Sequence, residues 1–328
     1  MKNHSPFKII STLGNASLSP EFLRLCVQIA QPYFRLNGSH LTLSELQKYL
    51  QILRKNTLSV QTEIYLDLQG NKLRIGKLKN QLRLIPEMMV RLTAENSSSN
   101  DDIPVPHPEI FKQVSAGDLL QLQDAEIKLV ITEVKNKNFV ARVVEGGNLR
   151  SKTGMNFPER QITLIPKSTI PGELLEQSQI LGIQNLALSY VRNKADLQEL
   201  KRSCRNLGYF PRIIAKIENP ESLKNLETIC RTADEIWFCR GDLGSLIPWK
   251  ELGYWQDYSI EMANKSKKPI MIAGQVFQHL TEHSQPTRSE LVHFYQLQKA
   301  GAAGIILSDE TAIGKNPAAA LKVIVDLL

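Results

Sequence analysis

Hydrophobic and polar positions fall into two rhythms along this chain. Before residue 70, short apolar or β-branched runs at 8–14, 33–36 and 62–68 alternate with stretches whose apolar residues recur at helical spacing. The 20–29 stretch carries Phe22, Leu23, Leu25, Cys26 and Ile29 on one face, and 42–55 opens with Thr42 three residues before Glu45, a capping-box pattern. Together they predict β-α-β-α-β. From about 76 to 166 helical spacing disappears. Strand-like runs at 82–85, 88–92, 118–122, 127–134, 139–144 and 161–164 are separated by polar turns such as Glu145-Gly146-Gly147-Asn148, which predicts an inserted all-β domain. The first rhythm then returns. It predicts strands at 185–189, 212–217, 235–239, 269–273 and 304–307, with helices at 173–181, 194–207, 220–231, 250–265, 288–300 and 317–328.

Three strands before the insertion and five after it make eight βα units. The expected fold class is α/β: a (β/α)8 barrel split into 1–75 and 167–328, with an all-β lid domain at 76–166 between strand 3 and helix 3. An open doubly wound sheet is the alternative built from the same alternation. In a barrel the chemistry gathers at the C-terminal strand ends.

Those ends are polar. Strand five closes on Lys216-Ile217-Glu218, where Lys216 and Glu218 share a face and Ile217 takes the other. Strand six runs into Arg240-Gly241-Asp242, and two short stretches ending in carboxylates are expected where strand gives way to loop. Burying a cation beside an anion is costly without a partner or ligand. Carboxylates on neighbouring strand tips suit Mg²⁺, which takes one or two of them plus substrate oxygens. Strand two adds Arg35, Asn37 and Ser39 at alternate positions, strand three adds Asp67, strand seven ends in Gly274-Gln275, and strand eight in Ser308-Asp309-Glu310-Thr311. The set reads as a site with a cationic majority, suited to phosphate plus carboxylate.

Charge narrows the partners. The 328 residues carry a net charge of +7, but lysines and arginines are interspersed with acids, so the balance points to an anionic small substrate and not to nucleic acid. Four cysteines, Cys26, Cys204, Cys230 and Cys239, form no C-x-x-C pair, which argues against a zinc site or disulfide framework and fits a reducing cytosol. The first ten residues do not form a signal peptide and no apolar run approaches spanning length, so a cytoplasmic protein with no membrane partner is expected.

The chain resembles the pyruvate kinase family over its whole length. The resemblance rests on Lys8-Ile9-Ile10-Ser11-Thr12-Leu13-Gly14, Arg35-Leu36-Asn37-Gly38-Ser39-His40, Ala215-Lys216-Ile217-Glu218-Asn219, Arg240-Gly241-Asp242-Leu243-Gly244, Pro286-Thr287-Arg288 and Leu307-Ser308-Asp309-Glu310-Thr311-Ala312. Within the insertion, Gly117-Asp118 and Gly154-Met155-Asn156-Phe157-Pro158 resemble the family's lid. The resemblance implies phosphoryl transfer from phosphoenolpyruvate to ADP, giving pyruvate and ATP, with Mg²⁺ or Mn²⁺. It implies Glu218 and Asp242 as metal ligands, backbone N–H groups of Gly241 and Asp242 for the substrate carboxylate, and Lys216 and Arg35 as the cations facing the phosphoryl group. Gln275 falls among the substrate-side positions. His40 and Arg74 match nucleotide-side residues.

The sequence also departs from the family. In potassium-requiring members Thr-Lys-Gly-Pro-Glu follows the strand-three Asp; here Leu68, Gln69 and Lys72 resemble the potassium-independent branch, in which the lysine ammonium replaces the ion, while Asn37, Ser39 and Asp67 are kept. Activity without K⁺ is expected. Asn15 stands where the family has proline, Thr153 where a lid lysine is expected (Lys152 adjoins it), and Gly274 where a threonine helps position substrate and pass the proton. The family's C-terminal domain has no counterpart before residue 328, so its effector site and tetramer interface are not expected, and a monomer or homodimer is. Two other readings stay open: a non-catalytic binder of phosphoenolpyruvate or pyruvate, supported by Asn15, Thr153 and Gly274, and a nucleotide-free enolate enzyme such as a keto-acid decarboxylase.

Overall fold

Eight parallel strands close on themselves in chain order: β1 (Lys8–Thr12), β2 (Tyr33–Asn37), β3 (Glu63–Leu68), β4 (Asn185–Leu188), β5 (Arg212–Ile217), β6 (Glu235–Cys239), β7 (Ile270–Ala273) and β8 (Gly304–Leu307), with β8 pairing back onto β1. The computed structural model describes residues 7–39, 41–57, 61–70, 72–94, 102–123, 125–160, 162 and 172–328. Between the strands run α1 (Pro20–Gln28), α2 (Leu43–Asn56), α3 (Gly172–Ile180), α4 (Lys194–Asn206), α5 (Pro220–Lys224), α6 (Leu226–Thr232), α7 (Arg240–Leu246), α8 (Leu252–Lys265) and α9 (Arg288–Ala300), followed by α10 (Asp309–Ala312) and α11 (Pro317–Val325). The expected (β/α)8 barrel is what the chain forms, and the open-sheet alternative is set aside by the β1–β8 pairing.

Local chemistry explains where the helices start. The Thr42 hydroxyl accepts from the Glu45 N–H while the Glu45 carboxylate accepts from the Thr42 N–H, and Thr287 and Glu290 repeat the box at α9. Asn219 caps α5 through Ser222 N–H (2.9 Å) and donates its amide to the Val191 carbonyl (3.0 Å), tying the tip of β5 to the loop after β4. The sequence led us to expect one helix over 220–231; there are two, divided at Asn225. Its side-chain amide donates to the carbonyls of Glu221 and Arg192, which ties the junction of the two helices to the loop after β4. The expected loop after β6 is also helical: α7 starts directly at Arg240.

Alternation along the strands stacks the barrel interior in three layers. At the N-terminal ends lie Lys8, Tyr33, Glu63, Arg212 and Glu235; in the middle Ile10, Tyr65, Ala187, Ile214, Trp237, Met271 and Ile306; at the C-terminal ends Thr12, Arg35, Asp67 and Lys216. The intervening residues, among them Ile9, Phe34, Leu66, Leu186, Ile217, Phe238, Ile272 and Ile305, are fully buried on the other face.

The chain divides into two compact units. One is the barrel: Met1–Gly70, Ile170–Leu243 and Lys250–Leu328. The other holds Asn71–Thr169 with Gly244–Trp249. Its described residues form a two-stranded sheet, Leu82–Leu84 with Gly147–Leu149, and a six-stranded sheet in the order Met155–Asn156, Leu119–Leu122, Ile127–Lys135, Asn138–Glu145, Met89–Thr93 and Ile103–Pro104. The sheets enclose an apolar cluster that includes Leu92, Ile103, Leu120, Leu129, Phe139 and Met155. Gly147 and Asn148, expected in a turn over 145–148, instead open the strand Gly147–Leu149, whose Leu149 is buried against this cluster. The strand expected at 161–164 lies, apart from Ile162, outside the described residues.

Candidate functional site

The C-terminal layer of the barrel gathers four charged side chains that the chain keeps far apart. Lys216 Nζ lies 2.9 Å from Glu218 Oε1 and 2.9 Å from Asp67 Oδ2. Asp67 Oδ2 also accepts from Arg35 Nε at 2.9 Å and Nη2 at 2.7 Å. Arg35 Nη1 donates to the Thr12 hydroxyl (3.0 Å), and Ser189 Oγ sits between the two groups, donating to Asp67 Oδ1 (2.8 Å) and accepting from Lys216 (2.9 Å). Glu218 Oε2 is held by the backbone N–H of Tyr190 at 2.8 Å. Tyr190 presents that N–H from a left-handed conformation, φ 56°. Side-chain exposure is 8% for Lys216, 3% for Asp67, 7% for Glu218 and 14% for Arg35. The cluster is buried and paired.

Burial and pairing set its charge states. Desolvation alone would push the Asp67 carboxyl up, but Lys216 and Arg35 outweigh it and hold the group below the ordinary carboxylate range. Burial alone would lower Lys216 and Arg35; the Asp67 carboxylate beside both, and Glu218 beside Lys216, raise them instead. Both stay cationic. The Cys239 thiol, buried in the same layer, is pushed well up by desolvation and then by Glu218, so it is a neutral wall of the site and not a nucleophile.

One expectation needs correcting. The cationic majority read from the sequence is absent in this layer, where Arg35 and Lys216 face Asp67 and Glu218 at even charge. Asp242, half-buried in the first turn of α7, adds a third carboxylate at the next strand tip. Among the described residues no three His, Cys, Asp or Glu side chains converge as a metal cage. A dication here would therefore take at most two carboxylates, Glu218 and Asp242, with its remaining ligands from substrate and water, which is how Mg²⁺ binds. The donor set fits that ion.

The other anticipated residues divide by unit. In the barrel, Asn37 closes a turn on itself, its Oδ1 accepting from Ser39 N–H at 3.2 Å, and Gly38 N–H donates to the Asp67 carbonyl at 2.9 Å. Gly241 is exposed at the start of α7, Asn15 is exposed in the turn after Gly14, and His40 lies outside the described residues. Gln275 follows Gly274 in a doubly left-handed turn, φ 88° at Gly274 and 52° at Gln275. A Cβ at 274 would lie 3.1 Å from Gly241 N, so the glycine answers both to φ and to close approach. In the second unit, Arg74 Nη1 donates to the Lys152 carbonyl at 3.1 Å, and the Lys72 side chain packs over Gly154, where a Cβ would stand 2.5 Å from Lys72 Cε. Lys72, Arg74 and Lys152 thus meet around Gly154.

Sequence reading overlooked Thr12, Ser189 and Tyr190. Ser189 was detectable: counting inward positions from Asn185 through Ala187 puts it on the inner face. Tyr190 acts through its backbone and leaves no side-chain signal.

Residues 5–321 match the family model for the pyruvate kinase barrel domain. A pyruvate kinase of Mycobacterium intracellulare is 31% identical over 319 residues, covering 96% of this chain and 68% of that protein. One from Thermococcus litoralis is 31% identical over 314 residues, 94% of this chain and 66% of the relative, and one from Agrobacterium vitis 32% over 328 residues, 98% and 67%. The chain spans about two thirds of the length of these relatives.

Proposed function

The chain belongs to the pyruvate kinase family and is a pyruvate kinase-like phosphotransferase, and from that premise we propose that it moves the phosphoryl group of phosphoenolpyruvate to ADP, releasing pyruvate and ATP. The observation that carries this reading is the buried Arg35–Asp67–Lys216–Glu218 network at the C-terminal strand ends. Phosphoryl transfer needs little covalent help from the protein; it needs fixed charge where the transferring group passes. Lys216 and Arg35 supply it, and Asp67 with Ser189 holds both in place so that no reorganisation is needed. Glu218 and Asp242 would hold Mg²⁺ or Mn²⁺, which when bound supplies a Lewis acid for the substrate's carboxylate and enol oxygens. Backbone N–H groups of Gly241 and Asp242 receive the substrate carboxylate. Residue 274 has no hydroxyl to pass a proton to the enolate, so protonation draws on another group.

A coupled assay measuring pyruvate and ATP from phosphoenolpyruvate, ADP and Mg²⁺ tests this. Turnover that requires ADP and falls roughly 10²-fold or more in Lys216→Met supports it; no turnover from folded protein overturns it. The glycine at 274 favours one second reading, a non-catalytic binder, which tight Mg²⁺-dependent oxalate binding without turnover would reveal.

Turnover is further proposed to need no K⁺. Asp67 already accepts two bonds from Arg35, one from Lys216 and one from Ser189, which leaves its carboxylate little to offer a monovalent ion. Strong activation by KCl over matched tetramethylammonium chloride would refute this.

A further inference from the structure

The turn that ends β7 is clamped from the side by an arginine with an unusual set of acceptors. Arg240 Nε and Nη2 both donate to the Gly274 carbonyl, at 2.8 and 2.5 Å. Nη1 lies 3.3 Å from Nε2 of His293 on α9, and Gln256 Nε2 on α8 lies 3.3 Å from the same ring nitrogen. A guanidinium has no acceptor, so the Arg240 contact is a hydrogen bond in the tautomer whose ring proton is on Nδ1 and whose Nε2 offers its lone pair. Among the described residues Arg240 has no carboxylate within ion-pair distance. Its acceptors are a carbonyl and a neutral imidazole. The Gly274–Gln275 turn it grips is left-handed at both residues and abuts the Gly241 N–H at the start of α7.

We propose that His293 is a positioning residue: as a neutral acceptor it holds Arg240 against the Gly274 carbonyl, and so fixes the turn after β7 against the first turn of α7 where phosphoenolpyruvate binds. This rests on the function proposed above. Protonating His293 removes the acceptor and puts a second positive charge 3.3 Å from the first, which releases Arg240 from the clamp. The groups around the pair favour the neutral ring. Burial and then Arg240 from α7 depress its pKa below 6.5, while Asp257 of α8 opposes them less strongly. Glu310 of α10 acts on Arg240, whose own pKa burial lowers to about 10, and Glu290 one turn away on α9 is engaged by Thr287 and the His279 N–H. Binding competence is therefore full at neutral pH and lost as pH falls through the depressed pKa of His293.

The test is the pH profile of KM and kcat for phosphoenolpyruvate between pH 5 and 8 in wild type, His293→Gln and His293→Ala. On the acid side the wild-type KM is expected to rise up to about tenfold per pH unit, with kcat changing less. Gln has an accepting oxygen and does not titrate: it should keep the neutral-pH KM within about threefold and flatten the acid limb beyond what ionisation of the substrate itself causes. Ala should raise KM at every pH. An acid limb unchanged in His293→Gln overturns the proposal. NMR of the wild-type protein gives a reading independent of turnover and of how the variants fold. Titration of the His293 ring should move the Arg240 Nε–H and the Gly274 and Gln275 amide signals together. If the ring titrates while these stay still, the proposal fails even in an active enzyme; if they move in a protein without turnover, the clamp stands and the function reading fails.

Discussion

Each mouth of the barrel holds a network of two cations and two anions, and the two networks are built into different surroundings. At the N-terminal mouth Lys8 pairs with Glu63 (2.8 Å) and Arg212 with Glu235 (3.2 Å), two cations against two anions, as at the C-terminal mouth. There the network is partly solvated and lined with aromatic groups: Lys8 lies over the Tyr33 ring, Tyr65 donates to Glu63 at 2.7 Å, and Trp237 donates to Glu235 at 2.8 Å. At the C-terminal mouth the partners are hydroxyls and backbone amides instead: Thr12, Ser189 and the Tyr190 N–H. Short helices also begin there, α5 after Glu218, α7 after Cys239 and α10 after Ser308. Charge count does not distinguish a plug from a receptor. What surrounds the charges does: aromatic faces line one network, while helix starts and left-handed loops surround the other.

The largest expected contrast comes from deleting one lysine at each mouth. Lys216→Met should cost roughly 10²- to 10³-fold in kcat for ATP formation, the usual scale for losing one preorganised charge at a phosphoryl group. Lys8→Met should leave kcat within a few-fold and lower unfolding free energy by about 1 kcal/mol, since its pair with Glu63 is partly solvated. Steady-state kinetics beside chemical denaturation reads both, and equal kinetic losses at the two mouths would erase the distinction.

A smaller effect tests whether the C-terminal mouth depends on its strained backbone. Gly274→Thr supplies the hydroxyl that the family resemblance leads one to expect here but forces a β-branched residue to φ 88° beside Gly241 N. It should lower stability by about 1–3 kcal/mol and fail to raise kcat. A more active, equally stable variant would mean that the left-handed turn is dispensable.

The smallest effect is a difference in pH response. Asp67 is held low by Lys216 and Arg35 against its burial, so its contribution is present above the unfolded pKa near 4 and lost as pH falls through the lower folded value. Glu235 is the reverse: burial raises its pKa, so its contribution is present below about 4.3 and lost as pH rises through the raised folded value. Urea denaturation from pH 4 to 7 should therefore show Glu235→Gln gaining stability relative to wild type as pH rises, about 1.4 kcal/mol for each unit by which the pKa is raised. A constant difference across that range would place Glu235 outside the titrating network.

How much of this was legible in the sequence varies from residue to residue. Lys216 and Glu218 were readable because alternation on a strand is a property of two neighbouring residues, and the structure brings them to 2.9 Å. The helix starts at Thr42 and Pro220 were readable for the same reason, since caps act within one turn. The break at Asn225 was not, because its amide reaches the Arg192 carbonyl from another part of the barrel.

The sequence by itself determined the alternation of strands and helices, the helix starts and the polar strand tips, all consequences of forces acting over a few residues. Only the closed barrel decided that Asp67 would bridge Arg35 and Lys216, that Ser189, 122 positions away, would hold Asp67 in place, and that Arg240 would find its acceptor 53 positions on at His293. The register of eight parallel strands brings those groups into one layer, and there burial turns scattered solvated charges into a fixed, paired set.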